Sequence, residues 1–422
     1  MKEQLRFIAN FALIILLFLL LFSFAMFQGG FTSWFLFFSF LPIFLYHLGL
    51  LIYPIKKWEV SRSFSRHVVR AGDPVSVTIE VKRTFPFPLY YCIFEEIYPD
   101  SLKKLDSKNT KYHYLDQPDK LMINRGIKKI MFPSIRKVFK LSYRMEQIPR
   151  GEHQLKGIRI KTGDVFGFVK KEHVYELSDQ LVAYPNERPV IFAEKMNSFE
   201  QGSVSSNALN LKNTNVAAGI REYMPGDKFS WIDWKQTAKK NQVMTKEFEQ
   251  ERNNDVLLIL NSCKDQNSNP LAFEAAVEVT VSLIKAIQMQ STQAGLLSIG
   301  ENVIHFPVHY DTKQQEWIRK HLTQIQLSGN ESFSVKVKAE VNKISTGNIV
   351  LIVTTQMDPL FNEMIHRLKR RSKRISILFI QSSKRITQAE HDISRQLLQE
   401  GIGIHVLTEE QLVKDPIEVS MT

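Results

Sequence analysis

Charged and aromatic side chains alternate through residues 219–249, which we call the signature segment. Opposite charges in such a run can form ion pairs, and Trp, Tyr and Arg are the side chains that most often anchor a protein–protein interface. The chemistry available here is therefore recognition and not covalent catalysis. The candidate contact residues for a partner protein are Arg221, Glu222, Tyr223, Pro225, Gly226, Asp227, Asp233, Trp234, Lys235, Lys246, Glu247 and Glu249.

The signature segment also has the pattern of a turn followed by a helix. Pro225-Gly226 combines a fixed φ with a residue that tolerates positive φ, which predicts a tight type II turn. Ser230 followed by Asp233 predicts a helix N-cap with its capping partner. The helix would place three residues on roughly one face: Trp231, Trp234 and Ala238.

Two compatible interpretations of the segment follow. As a structural strap, it would place Trp231, Trp234 and Phe248 against one side of a sheet, while its charged residues form satisfied ion pairs. As a docking surface, the same side chains would contact a partner protein.

Three motifs carry a resemblance to a known family. Residues 221–227 match its Arg-Glu-Tyr-x-Pro-Gly-Asp motif, and residues 232–235 match Ile-Asp-Trp-Lys. Residues 162–167 read Thr-Gly-Asp-Val-Phe-Gly, where the family usually has proline at the position of Val165. On these motifs the chain resembles the domain of unknown function 58 family, in which the signature precedes a domain similar to the von Willebrand factor type A fold.

The resemblance implies a membrane-anchored bacterial protein and implies no enzymatic reaction. Members are commonly encoded near MoxR-type AAA+ ATPases and transglutaminase-like membrane proteins, and are thought to work with them. We therefore expect a non-enzymatic adaptor or client-binding partner of a MoxR-type ATPase in membrane or cell-envelope assembly. A transglutaminase-like membrane protein would be a second partner.

Domains similar to the type A fold can hold a divalent metal at the carboxyl end of their first strand, through an Asp-x-Ser-x-Ser motif and later Thr and Asp residues. The corresponding positions here are Asn261, Cys263 and Asp265, so an amide replaces the first carboxylate and a thiol replaces the first hydroxyl. Both changes weaken a site for a hard cation. We expect no metal at this degenerate site, which Asp265 and Asp358 could still rescue.

Familiar catalytic motifs are missing from the sequence. It has no His-Glu-x-x-His, no Gly-x-Ser-x-Gly and no phosphate-binding Gly-x-x-x-x-Gly-Lys. We expect no cofactor. The alternative from another class is a metal-dependent or other hydrolase, with its site near the end of the first type A strand.

The basic run at residues 367–374, RLKRRSKR, ends a predicted helix and has no interleaved aromatic residues to stack on bases. We interpret it as a solvated face and expect no nucleic-acid partner. The formal net charge of +12 instead favours an anionic membrane surface.

Two apolar runs, residues 7–27 and 31–53, are each long enough to cross the ~30 Å hydrocarbon core of a membrane. The connection between them is so short that they must form an antiparallel hairpin, within a predicted domain at 1–55. Basic residues flank the two outer ends: Lys2, Arg6, Lys56, Lys57, Arg62, Arg66 and Arg70.

By the positive-inside rule, this charge pattern predicts a multi-pass cell-membrane protein whose N-terminus and soluble domains are cytoplasmic. A cleaved signal peptide is the competing interpretation of the first run. Asn10 and His47, near the cytoplasmic ends of the spans, could form an interhelical hydrogen bond or lie at the membrane interface.

The remaining chain has the length of two soluble domains. Alternating residues such as those at 75–81, with further strands at 155–160 and 180–184, predict a β-sandwich of immunoglobulin-like type over 61–190. Lysines between residues 102 and 129 are interpreted as a solvated face. Residues 191–215, rich in Ser, Asn and Gly, predict a flexible linker.

Strands and helices alternate over residues 216–422. Strands at 256–260, 294–299, 349–353, 375–380 and 404–407 alternate with helical segments, and a hairpin strand is predicted at 303–306. This order predicts a mostly parallel sheet with helices on both faces. The fold class is therefore multidomain: a transmembrane hairpin, a β-sandwich, and an α/β domain that the resemblance identifies as similar to the type A fold.

Overall fold

The structure is a computed structural model of the 422-residue chain. It describes residues 2–194, 216–224, 227, 229–249, 255–289, 293–308 and 312–421. These form two compact units, which we treat separately. The first unit comprises residues 1–106 and 122–183, and the second comprises residues 107–121 and 184–422. Most of the predicted linker lies outside the described residues.

Two apolar helices begin the first unit, α1 (Lys2–Gln28) and α2 (Phe31–Ile52). Both are long and apolar enough to cross a membrane, with mean hydropathies of 2.6 and 2.1 over residues 11–28 and 31–52. Phe18 packs on Phe44 and Phe22 on Phe37, so the helices run antiparallel. Gly29 and Gly30, both at positive φ, connect them.

Eight strands follow in the first unit. They are β1 (Glu59–Phe64), β2 (Val68–Arg70), β3 (Val75–Lys82), β4 (Tyr91–Ile97), β5 (Lys128–Met131), β6 (Val138–Met145), β7 (Gly151–Gly163) and β8 (Lys170–Tyr184). One sheet has the order β1-β3-β6 and the other has the order β2-β8-β7-β4-β5. Alternate residues of β3, from Val75 to Val81, are buried as the pattern predicts.

Two of these strands are longer than predicted. The structure extends β7 over 151–163 and β8 over 170–184, whereas the sequence pattern predicts only 155–160 and 180–184. Charged residues such as Lys171, Glu172 and Glu176 occupy the added part of β8. These residues interrupt the apolar pattern of the sequence, but the backbone pairing with β7 continues along this part of β8.

The second unit contains a ribbon and a large mixed sheet. Its first elements are β9 (Val190–Glu194), β10 (Val216–Glu222), α3 (Trp234–Lys240) and β11 (Met244–Glu249). The sheet strands are β12 (Val256–Asn261), β13 (Ala294–Ile299), β14 (Val303–Phe306), β15 (Ile349–Thr354), β16 (Arg374–Ile380) and β17 (Gly403–Leu407). The remaining elements are α4 (Pro270–Met289), α5 (Thr312–Gln324), α6 (Phe333–Glu340), α7 (Phe361–Lys369), α8 (Gln388–Gln399), α9 (Glu409–Val413) and β18 (Ile417–Met421).

The large sheet has the order β14-β13-β12-β15-β16-β17. The pairs β12/β13, β12/β15, β15/β16 and β16/β17 are parallel, whereas β14 is antiparallel, as the predicted hairpin requires. On β12, Leu258 and Leu260 pack with α4 and α5, while Leu257 and Ile259 pack with α6 and α7. The strand order reverses direction beside β12, and ligands of such sheets bind outside the carboxyl ends of the strands at this point.

Residues 107–121 contribute to the core of the second unit, although they lie within the predicted sandwich range. They form 3-10 helices at Lys108–Tyr114 and Pro118–Leu121, and Tyr112 and Leu115 are fully buried with residues of α4. The interpretation of the lysines at 102–129 as a solvated face is wrong for Lys111, which is buried. Its ammonium is neutralised by a carboxylate inside the unit.

That carboxylate is Glu278 of α4, which is itself buried. Lys111 Nζ lies 3.5 Å from Glu278 Oε2, and Arg188 Nε lies 3.1 Å from Glu278 Oε1. The Tyr112 hydroxyl donates a hydrogen bond to Glu278 Oε2. Burial, followed by the neighbouring Glu278 charge, raises the pKa of Tyr112 well above its usual value, so the phenol stays protonated.

Candidate functional site

The signature segment is built on an antiparallel ribbon of β10 and β11, with a bulge between Ala217 and Gly219. Arg221 holds the Asp227 carboxylate through two hydrogen bonds, at 2.8 Å from Nη1 and 2.7 Å from Nη2. The Met224 amide donates to the same carboxylate at 3.0 Å. These bonds, first that from Arg221, lower the pKa of Asp227. The predicted turn at Pro225-Gly226 lies outside the described residues.

Helix α3 begins one residue after Asp233, whose Oδ1 accepts hydrogen bonds from the amides of Lys235 and Gln236 at 3.0 and 3.1 Å. The prediction of Ser230 as N-cap is therefore wrong, because Ser230 lies in a preceding 3-10 helix, Phe229–Trp231. A carboxylate is well suited to this position, since it accepts from unpaired amides and meets the positive end of the helix dipole.

The aromatic side chains of the segment lie largely on its surface. Trp234 is 69% exposed and Phe229 is 77% exposed, with Tyr223 stacked on Phe229 at 6.1 Å between ring centroids. The strap interpretation is therefore wrong for Trp234, and the side chain of Phe248 lies outside the described residues. Ile232 and Met244 are buried, and the Met244 amide of the ribbon donates to the Thr237 hydroxyl of α3 at 3.0 Å.

Three exposed apolar residues belong to this surface but are absent from the predicted candidates: Ile220, Met224 and Val243. Their signal in the sequence is weak, because single apolar residues among charges are common on protein surfaces. Of the charged candidates, Glu222, Lys235 and Lys246 are exposed. Glu247 and Glu249 lie in β11, with side chains outside the described residues.

A second candidate site is a cleft of about 630 Å³ at the carboxyl edge of the large sheet. Asn261 ends β12 and donates from Nδ2 to the Thr354 hydroxyl at the end of β15, at 3.0 Å. Asn261 Oδ1 accepts from the Cys263 amide, also at 3.0 Å. The Asn261 amide therefore joins two strands and orders the next loop.

Two carboxylates at this cleft, Asp358 and Asp265, accept hydrogen bonds from protein groups. Asp358 accepts from the Ser332 hydroxyl and from the Ser334 amide, the latter at 3.3 Å. Asp265 Oδ1 accepts from the Gln266 amide at 2.6 Å. Across the described part of the chain, no group of three or more His, Cys, Asp or Glu side chains is arranged to hold a metal ion.

Cys263 lies beside the cleft but is buried, with Sγ at 3.5 Å from the Ile299 carbonyl. Burial raises the pKa of its thiol to about 11, so little thiolate is present at neutral pH. A nucleophilic or metal-binding role would require the thiolate. The geometry therefore favours a structural role for this cysteine.

In a Cys92→Ala variant, iodoacetamide is expected to label native Cys263 at pH 8 at least about 100-fold more slowly than in urea. The factor follows from the thiolate fractions at a pKa of about 11 and at the ~8.5 of an unfolded thiol. Mass spectrometry of timed samples measures both rates. Native labelling within a few-fold of the rate in urea would contradict the assignment.

The structure thus defines a two-unit protein with N-terminal apolar helices, two β-sheets in the first unit, a mixed α/β sheet in the second, and an ordered signature ribbon. The model of a family described as "Protein of unknown function DUF58" matches residues 219–390. "Uncharacterized protein YeaD" of Bacillus subtilis (strain 168) is 31% identical over 387 residues, which cover 92% of each chain. The chain therefore belongs to the DUF58 family.

Solved structures are similar only distantly. A conjugative transposon lipoprotein of Bacteroides eggerthii DSM 20697 has 14% identity and a TM-score of 0.17, covering 29% of this chain and 95% of its own. The PilB minor pilin of Streptococcus sanguinis has 6% identity and a TM-score of 0.28, covering 76% of this chain and 84% of its own. Similarity at this level carries no argument about function.

Proposed function

We propose that the chain is a membrane-anchored, non-enzymatic module that binds other proteins, and that the signature segment is its docking surface. The observation that carries this proposal is the exposure of Trp234 and Phe229 on a framework of fixed geometry. Two hydrogen bonds from Arg221 to Asp227 and the helix cap at Asp233 hold that framework, and the aromatic side chains take no part in these bonds. Rigid, exposed aromatic residues beside charged ones have the composition of interface anchors.

The proposed partner is a MoxR-type AAA+ ATPase, with a transglutaminase-like membrane protein as a second partner, in membrane or cell-envelope assembly. The family resemblance of the motifs supports this choice. The exposed charges Glu222, Lys235 and Lys246 would surround the aromatic anchors as a polar rim.

We also propose that α1 and α2 cross the cell membrane as a hairpin, with both soluble units in the cytoplasm. Their length and hydropathy support the spans, and the basic residues outside them support the orientation. The two antiparallel sheets of the first unit support an immunoglobulin-like sandwich. The strand order of the second unit, with helices on both faces, supports a type A-like domain.

The alternative function is a hydrolase acting at the cleft beside β12, which its volume and position favour. Two observations weigh against it. Cys263 is held as a buried thiol, and the Asp358 carboxylate is bonded to Ser332 and Ser334.

Trp234→Ala is expected to weaken binding of the ATPase by about 10-fold or more, the usual loss at an interface anchor. Trp317→Ala is the matched control, because Trp317 on α5 is 66% exposed but lies outside the signature segment. Binding is measured with the purified full-length protein in mild detergent and the MoxR-type ATPase of the same genome. Equal melting temperatures establish that both variants are folded.

Three results are informative in this experiment. Loss of binding in Trp234→Ala alone supports the docking surface. Equal binding by both variants would move the interface elsewhere on the protein. Failure of the wild type to bind the ATPase with or without nucleotide would remove the proposed partner, and substrate screening at the cleft would become the better experiment.

A further inference from the structure

The loop at residues 162–169 is a tightly built turn whose apolar side chains are left outside. Asp164 is buried and accepts hydrogen bonds from the amides of Phe166, Phe168 and Val169 at 3.0, 3.2 and 2.6 Å. Gly163 has no room for a Cβ, which would lie 2.6 Å from the Val169 carbonyl oxygen. Hydrogen bonds to the Asp164 carboxylate therefore hold the backbone of this loop in a fixed turn.

The same carboxylate fastens the loop to the second apolar helix. Asp164 Oδ2 lies 3.2 Å from Nε2 of His47, whose Nδ1 lies 2.8 Å from the Ile43 carbonyl oxygen. Both ring nitrogens of His47 therefore lie within hydrogen-bond distance of an oxygen atom. The imidazole also packs against Phe166 and Phe168, at 6.1 and 5.9 Å between centroids. His47 thus has a hydrogen-bond partner in this loop, whereas the side chain of Asn10, its predicted interhelical partner, lies outside the described residues.

The position of His47 along α2 gives the depth of the loop. His47 follows Phe31, the first residue of α2, by sixteen residues, which is about 24 Å of helix. A hydrocarbon core of ~30 Å that begins at Phe31 would end about 6 Å beyond His47. A loop packed against His47 therefore lies about 6 Å inside that boundary, close to the level where acyl chains meet headgroups.

The side chains exposed at this level are apolar. Val165 is 61% exposed, Phe166 is 66% exposed and Phe168 is 49% exposed. A water-soluble surface rarely presents such residues consecutively, whereas the interfacial layer of a bilayer accommodates aromatic rings.

One neighbouring loop of the first unit, at residues 83–89, reaches the same end of α2, and a second loop, at residues 132–137, pairs with the first through Leu89 and Ser134. Phe87 stacks on Tyr53 at 5.0 Å between centroids, and a Cβ on Gly49 would lie only 2.9 Å from the Phe87 ring. The Phe85 carbonyl accepts a hydrogen bond from the Tyr53 hydroxyl at 2.8 Å. These loops expose further apolar and basic residues: Phe85, Phe132, Ile135, Arg136 and Lys137.

We propose that residues 165–168, with Phe85, Phe132 and Ile135, insert into the interfacial layer of the bilayer that α1 and α2 cross. The His47–Asp164 pair sets the depth of insertion. The first unit would then lie directly on the phospholipid surface, with Lys56, Lys57 and Lys170 near anionic headgroups. This inference rests on the proposed membrane anchoring, but the anchoring can hold even if these loops do not insert.

The experiment uses the full-length protein in phosphatidylcholine and phosphatidylglycerol vesicles, with an NBD fluorophore on a single introduced cysteine. Val165→Cys reports on the loop. Val68→Cys is the matched control, because Val68 is also an exposed valine, in β2. Leu16→Cys, in the middle of α1, reports on the span itself. Both native cysteines are buried, and unsubstituted protein measures background labelling.

We expect lipids with a nitroxide at acyl carbon 5 to quench the label at 165 at least several-fold more than the label at 68. Soluble iodide should quench the label at 68 more strongly. If the labels at 165 and 68 are quenched equally while nitroxide at carbon 12 quenches the label at 16, the inference is wrong and the membrane anchoring still holds. Protection of position 165 from both quenchers would indicate a covering protein and also overturn it. If the label at 16 escapes lipid quenching, the membrane anchoring itself is wrong.

Discussion

Replacing Glu278 with alanine is expected to lower the free energy of unfolding of the second unit by about 3–5 kcal/mol. The substitution would leave two buried cations, Arg188 and Lys111, without the carboxylate that neutralises them. It would also remove the acceptor of the fully buried Tyr112 hydroxyl. Urea unfolding of the full-length protein in detergent, followed by fluorescence and by proteolysis within residues 107–121, measures the loss.

The control is Lys384→Ala, which removes a largely exposed ion pair that also involves residues 107–121. Lys384 Nζ lies 3.2 Å from Asp116, and the Lys384 side chain is mostly in solvent. An exposed pair contributes at most about 1 kcal/mol. If Glu278→Ala were no less stable than Lys384→Ala, the buried cluster would not hold residues 107–121 in the second unit.

Elements defined by local patterns could be predicted closely from the sequence. The apolar runs at β12, β13 and β15 predict these strands to within a residue or two. The helical spacing of apolar residues predicts α4 equally closely. Helix α6 could not be predicted in this way. Its Val335-Lys336-Val337-Lys338 stretch alternates with the period of a strand, whereas in the structure it is helical and buries Phe333 and Val337 in one cluster with residues of α7.

Long-range partners could not be predicted at all. Tyr112 and Glu278 are separated by 166 residues, and no local pattern pairs them. The signature segment could be predicted in part. Its charged residues are identified by type, but only the structure pairs Arg221 with Asp227 and assigns Asp233 to the helix cap. A polar residue in an apolar helix is itself a signal, since such residues usually have a partner, and His47 has one in Asp164.

Asp164→Ala is expected to destabilise the first unit by about 3–5 kcal/mol, because one carboxylate satisfies three amides and His47. Alanine would leave the buried Val169 amide without its acceptor and would remove the carboxylate beside Nε2 of the buried His47. The loop should then open, and proteases should cleave between residues 162 and 169 well below the melting temperature. Thermal unfolding in detergent and the mapped cleavage sites measure these two effects.

Asp164→Asn and Asp100→Ala separate the possible causes of such a loss. Asparagine keeps the shape and one acceptor oxygen, so a loss between those of wild type and Asp164→Ala would show that charge and hydrogen bonds both contribute. Asp100 belongs to the same unit and has an exposed ion pair with Lys103, so its deletion should leave the melting temperature unchanged. If Asp164→Ala behaved like Asp100→Ala, the loop would not depend on this carboxylate. Its apolar tip would then have no fixed depth at the membrane.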